Sequence, residues 1–210
     1  MCGHASPLSY NVRTLEILLV LGIGVGLASV AGVRALLPLA LAALFAALGL
    51  LEPPSPYVDG GGDGWWWSAF GVLAGFSVLE IALDKIRALD RAFNYAMVPV
   101  RAIAGGVLFA AALGFGVEAG SAPLLVAGAI IAGAVAVLKV LLRPSAKVEA
   151  SGVSTWFLSA AEDVVALLGG IVGAFIPFVP LIVVGFLLFF YYRVRTRRGR
   201  KYGGLRILGD

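Results

Sequence analysis

The sequence has one cysteine and one histidine, and only 13% of its 210 residues are charged. A single cysteine excludes an intrachain disulfide. One cysteine with one histidine also leaves a protein-only zinc, haem or iron–sulfur centre without its usual ligands. Cys2 and His4 are therefore read as incidental, and neither a metal nor a cofactor is expected. Soluble chains carry about 25% charged residues, so this one has roughly half the material for a surface facing water. Hydrophobic residues make up 60% of the chain, and the mean hydropathy is +0.99. A soluble globule, a disordered tail and a nucleic-acid module are all excluded as poor fits. The composition is that of an integral membrane protein.

The net charge of +4 is unevenly placed. Arg193, Arg195, Arg197, Arg198, Arg200, Lys201 and Arg206 crowd the C-terminal end, with Asp210 the one acid among them. This stretch alone exceeds the net charge of the whole chain, so the rest is slightly acidic. Such asymmetry marks membrane topology and is no footprint for a nucleic acid, which is not expected as a partner.

A hydrocarbon core about 30 Å thick needs roughly 20 apolar residues in a helix. Long apolar runs cover Leu15–Ala31, Ala35–Leu51, Trp65–Leu83, Ala96–Val117, Ala122–Leu142, Phe157–Phe175 and Leu181–Tyr192. Proline lacks an amide donor and clashes with the preceding turn, so Pro177 and Pro180 mark a turn or a kink. Residues 157–192 would form a helix of about 54 Å, too long for one crossing. They are split into two spans, and residues 15–51 are split near Gly32. Irregular backbone is not tolerated in contact with lipid, so the expectation is an all-α polytopic bundle of about seven spans, with six as the alternative. It occupies residues 1–195 as one domain, followed by a basic cytoplasmic tail at 196–210.

Seven crossings with the basic tail in the cytoplasm put Arg34, Lys85, Arg87, Arg91, Arg101, Lys139, Arg143, Lys147 and the tail on the inner side. Only Arg13 falls outside, while Glu52, Asp59, Asp63 and Glu118 are outer. The positive-inside rule thus sets the N-terminus out and the C-terminus in, in a bacterial inner membrane. Trp65, Trp66 and Trp67, and at the other face Tyr191 and Tyr192, take positions suited to interfacial aromatic belts.

Small residues supply helix-packing surfaces in lipid: Gly22, Gly24, Gly26, Gly105, Gly106, Gly128, Gly133, Gly169, Gly170 and Gly173. Two stretches echo each other, Gly26–Pro38 and Ala132–Pro144. Each is a small-residue helix ending in a basic residue (Arg34 or Lys139), two leucines and a proline. Ala102–Val107 and Ala166–Ile171 form a second pair. Both members of each pair cross in the same direction, so an internal repeat would be of the parallel kind.

Further stretches are Ala31-Gly32-Val33-Arg34, the run Leu79-Glu80 to Ile86 with Leu89-Asp90, Val100-Arg101 to Gly105, and Ser159 to Asp163. Together they resemble the bacterial membrane family called domain of unknown function 4126, over most of residues 15–195. The chain departs from the family pattern at Arg87, where a proline commonly follows the Asp-Lys-Ile run. The resemblance implies a polytopic membrane protein and no particular activity.

Ionisable groups at membrane depth are costly, and by default they indicate function where they face the bundle interior. The candidates are Arg34, Glu80, Asp84, Lys85, Arg101, Lys139, Glu162 and Asp163. Glu80, Asp84, Arg87 and Arg91 fall on one helical stripe, opposite Leu79, Leu83, Ile86 and Phe93. Acids and bases gathered at the cytoplasmic half can coordinate a cation, relay protons or hold an anionic head group. The competing reading has the same charges at the interface, with long basic chains snorkelling and acids pinning helix ends.

Gly60–Gly64 lacks the Lys-Ser/Thr of a phosphate loop and is read as a flexible outer turn. Asp59 and Asp63 provide too few oxygens for a hard cation. Ser154, Thr155 and Ser159 precede the sixth span, and Ser159 with Glu162 fits a capping box. No nucleophile and base pair is recognisable, so an enzyme is not expected. The remaining readings are a small transporter or channel-like protein using the charged cluster, and a non-transporting scaffold whose charges staple helices. Anionic lipids at the basic tail and a homo-oligomer are the expected partners.

Overall fold

A computed structural model describes residues 7–52, 62–85, 90–117, 119–143 and 155–203. The described residues form seven α-helices and a short 3-10 turn, with no strand among them. The helices are α1 (Pro7–Val33), α2 (Leu36–Ala47), α3 (Gly62–Asp84), α4 (Asp90–Ala112), α5 (Ala122–Leu142), α6 (Thr155–Gly173) and α7 (Val179–Gly203). All except α2 are long and apolar enough to cross a membrane. The apolar run at Ala35–Leu51 yields only 12 helical residues, about 18 Å of helix.

The half-length helix α2 folds back along α1. Down α1, Gly22 meets Phe178, Leu27 meets Gly173 and Val30 meets Gly169, so α1 runs antiparallel to α6. Along α2, Pro38 and Leu41 meet Gly170, and Phe45 stacks at a tilt on Phe175, with ring centroids 5.4 Å apart. α2 therefore runs with α6 and returns toward the end of the bundle where Gly22 lies. α1 and α2 form a hairpin, and its tip, Arg34-Ala35, lies about 18 Å in from that end. Packing of α1 begins at Gly22, since residues 14–20 are exposed on every face.

Close approach carries the packing, as the glycine pattern suggested. A Cβ on Gly32 would stand 2.6 Å from the Ala132 carbonyl oxygen, and one on Gly106 would stand 2.6 Å from that of Leu125. Both are backbone atoms that cannot move aside, so glycine is what allows α1 onto α5 and α4 onto α5. α1 runs antiparallel to α4 (Gly24 on Phe109, Ala28 by Gly105) and α4 antiparallel to α5 (Gly105 by Ala132, Phe109 by Gly128), so α1 and α5 run the same way, as expected for the first pair of echoing segments.

Pro177 and Pro180 mark a turn. α6 ends at Gly173, and Phe178 takes a positive φ of 62°, a strained conformation for a bulky residue. Its N–H donates to the Gly22 carbonyl at 3.4 Å, and its ring fills the space a Gly22 side chain would need. Pro180 then sits in the first turn of α7, where its missing N–H costs nothing.

Several expectations are corrected. α3 starts at Gly62, so Gly62–Gly64 is helix and not turn. Gly60, Gly61 and Asp59 lie outside the described residues, and Asp63 is placed only as backbone in the first turn of α3. The four-residue charged stripe does not form on one helix, because α3 ends at Asp84 and Arg91 belongs to α4. Arg87, Lys147, Ser154, Glu118, Cys2 and His4 are likewise outside the described residues. α7 continues to Gly203, so the start of the basic segment prolongs the last helix.

Candidate functional site

The hairpin leaves two sets of backbone groups short of partners, the last carbonyls of α1 and the first amides of α2. Both are met from other helices. Glu80 accepts from the backbone N–H of Ala35 at 3.4 Å and of Leu36 at 3.2 Å. Lys139 donates from Nζ to the Val33 carbonyl at 2.9 Å. A carboxylate at the helix N-terminus and an ammonium at the helix C-terminus each complement the local dipole. The break is therefore stabilised by charges of the matching sign, one from α3 and one from α5.

Asp84, the last residue of α3, is the hub of the surrounding network. Its Oδ1 accepts from Asn94 Nδ2 at 2.7 Å and Arg143 Nη1 at 3.0 Å. Its Oδ2 accepts from Arg34 Nη2 and Ser159 Oγ, each at 2.9 Å, with Arg143 Nη2 at 3.4 Å. One carboxylate thus ties α3 to the hairpin tip, α4, the end of α5, and α6. Ser159 also accepts from Arg34 Nη2 at 3.1 Å.

Glu162 is the second hub. Lys139 Nζ stands 2.7 Å from its Oε2, Arg143 and Arg34 lie at 3.7 and 3.8 Å, and the Tyr191 hydroxyl donates to Oε1 at 2.6 Å. Asp163 lies 2.7 Å from Arg34 and 3.9 Å from Lys85. Arg101 pairs with Glu80 at 3.7 Å and donates to Asn94 at 3.0 Å. Solvent reaches none of Arg34, Arg101, Lys139 or Glu162.

All eight candidate residues from the sequence meet in this network. Lys85 stands at its rim, 35% exposed and 5.8 Å over the Trp156 ring. Arg34, Glu80, Asp84, Arg101, Lys139 and Glu162 are buried among the helices, so their basic chains do not snorkel to solvent, while the pinning of helix ends holds for Glu80 at the start of α2. Ser159 lies inside α6 and bonds Asp84, so the expected capping box is not formed. Tyr191 belongs to the cluster and not to an aromatic belt, whereas Tyr192 is exposed, as are Trp65 and Trp67.

Four participants were not among the candidates: Asn94, Arg143, Ser159 and Tyr191. Two left a signal in the sequence. Arg143 follows Lys139 by four residues and so shares its helix face, and Asn94 is the amide nearest Asp84 across the α3–α4 connection.

The network also holds donors that no described residue accepts from. Nε and Nη1 of both Arg34 and Arg101 are buried without a hydrogen-bond partner, and so is Ser77 Oγ. Arg34 and Arg101 reach their partners through Nη2 alone.

The family model for the domain of unknown function DUF4126 matches residues 21–197. The chain belongs to this family. The matched segment begins one residue before Gly22, where α1 enters the bundle, and ends just past Tyr191. It thus takes in the hairpin, α2 to α6 whole, the packed parts of α1 and α7, and every member of the charged network. No curated protein and no solved structure matches the chain.

Proposed function

We propose that this integral membrane protein of the DUF4126 family is a small transporter or channel-like protein whose solute site is the charged network at the α1–α2 tip. The observation that carries the reading is the hairpin break itself. Transport sites in membranes are commonly built where helices are discontinuous, because freed helix ends and ionisable side chains can contact a solute there without facing lipid. Glu80 and Lys139 set that arrangement around Arg34. The protein sits in a bacterial inner membrane, with the basic C-terminal segment in the cytoplasm against anionic lipids. It works without a catalytic step.

One observation favours a scaffold instead: each of the four carboxylates of the network has a cation within 4.0 Å. A network that only staples helices would also be paired in this way. Proteoliposome flux separates the two readings. Wild type should carry at least one class of ion or small polar solute, and Glu80→Gln and Glu162→Gln should abolish or strongly reduce that flux. If wild type is inert across inorganic ions, organic acids, amines and neutral polar solutes, the transport reading fails and the scaffold stands.

A further inference from the structure

Arg34 and Arg101 are linked through two residues. Arg101 donates to Asn94, Asn94 donates to Asp84, and Asp84 accepts from Arg34. Each guanidinium spends one terminal nitrogen on these bonds and keeps Nε and Nη1 without an acceptor. That leaves three N–H bonds on each side chain. A buried donor without an acceptor forfeits its hydration, and the penalty is greater for a charged group. Buried polar groups are almost always satisfied, so six charged N–H bonds in one network call for acceptors from outside the chain.

The charge count gives the sign of what supplies them. Among the described residues the network has five cations, Arg34, Lys85, Arg101, Lys139 and Arg143. They face four carboxylates, Glu80, Asp84, Glu162 and Asp163. Over these residues the cations outnumber the carboxylates by one, with Lys85 at the exposed rim. The carboxylates are already engaged, Asp84 by five donors and Glu80 by two backbone amides as well as Arg101. Glu162 Oε2 and Asp163 Oδ1 lack a hydrogen bond in good geometry, yet each lies 2.7 Å from a cation. Unmet demand thus falls on the donor side, where Arg34, Arg101 and Lys139 also repel one another. A planar guanidinium matches carboxylate and phosphate oxygens better than any other side chain does.

We infer that Arg34 and Arg101 together form a binding site for one oxyanion, a carboxylate or phosphate group. This names the solute class of the site proposed above and, as a transport substrate, rests on that reading. Its oxygens accept from Nε and Nη1 of the two guanidinium groups, and its negative charge offsets the repulsion among the buried cations.

The test titrates the purified full-length chain in neutral detergent with sodium phosphate, sodium sulfate and sodium acetate against sodium chloride. Calorimetry and thermal unfolding followed by tryptophan fluorescence read the binding. A parallel arm compares nanodiscs of phosphatidylcholine alone with nanodiscs containing phosphatidylglycerol. One oxyanion should bind saturably with one site per chain and raise the unfolding temperature, with chloride far weaker. Arg101→Lys, which keeps the charge but loses the planar fork, should weaken affinity about tenfold, and Arg101→Gln should weaken it further. An effect of free anions in phosphatidylcholine assigns a soluble oxyanion, and an effect confined to phosphatidylglycerol assigns a lipid phosphate. Both support the site. Should Arg101→Gln not fold, wild type and Arg101→Lys decide. No saturable binding of any oxyanion in either arm overturns the inference, as does affinity unchanged in Arg101→Lys. Oxyanion binding without flux would remove the transport reading and leave the site. Flux of another solute without oxyanion binding would do the reverse.

Discussion

Lys139 and Glu162 form an ion pair of 2.7 Å that solvent does not reach from either side. The lysine end of that pair also holds the last carbonyl of α1, and the glutamate end holds Tyr191 of α7. Removing one member leaves the other charged, buried and short of its partner. Such truncations cost about 3–5 kcal/mol, more than the intact pair contributes. Glu162→Gln and Lys139→Met should each lower the unfolding temperature in detergent. The double variant should be less destabilised than the sum of the two, with a coupling of at least about 1 kcal/mol in a double-mutant cycle. Additive effects would mean that the pair does not form.

Tyr191 and Tyr192 are neighbours in sequence with opposite surroundings. The Tyr191 hydroxyl donates to Glu162 at 2.6 Å and is buried, while Tyr192 is exposed. A hydrogen bond to a charged acceptor contributes about 1.5–3 kcal/mol. Tyr191→Phe should therefore destabilise the protein by about that amount in thermal unfolding, and Tyr192→Phe should leave the transition unchanged.

Two glycines on α1 and α3 give a paired test of packing. Gly32→Ala places its Cβ against a backbone oxygen and Val135, and should cost about 1–3 kcal/mol as overpacking. At Gly71 nothing lies within 4 Å, so Gly71→Ala should be neutral or stabilise α3 by about 0.5–1 kcal/mol. Size-exclusion profiles and unfolding temperatures of the two variants read the contrast.

The helical architecture and the charged residues were legible in the sequence because hydrocarbon imposes simple demands. Apolar runs of about 20 residues, small-residue faces and ionisable groups inside them have few alternative readings. The reversal between α1 and α2 was legible, as the split near Gly32, but the half length of α2 was not. Ala35–Leu51 has the composition of a span, and the break at Arg34-Ala35 carries neither proline nor glycine. It is held from outside by Glu80 and Lys139, and local sequence carries no trace of partners 45 and 106 positions away. Tyr191 was misplaced for a related reason. A tyrosine beside an arginine-rich end suits an interface by composition, and only the approach of α6 turns it inward. Arg143 went unnoticed because it stands one residue past the end of α5, where a basic residue is ordinarily read as a topology signal.

Two-sided labelling of single cysteines tests most directly whether α1 and α2 form a hairpin around the charged network. In a Cys2→Ser background, cysteines replace Leu18, Leu48, Phe115 and Thr196, and oriented membranes are treated with an impermeant maleimide from either side. Leu18→Cys, Leu48→Cys and Phe115→Cys should react from one side and Thr196→Cys from the other. If Leu48→Cys reacts together with Thr196→Cys, then α2 crosses the membrane without turning back, and the site built on its return is contradicted.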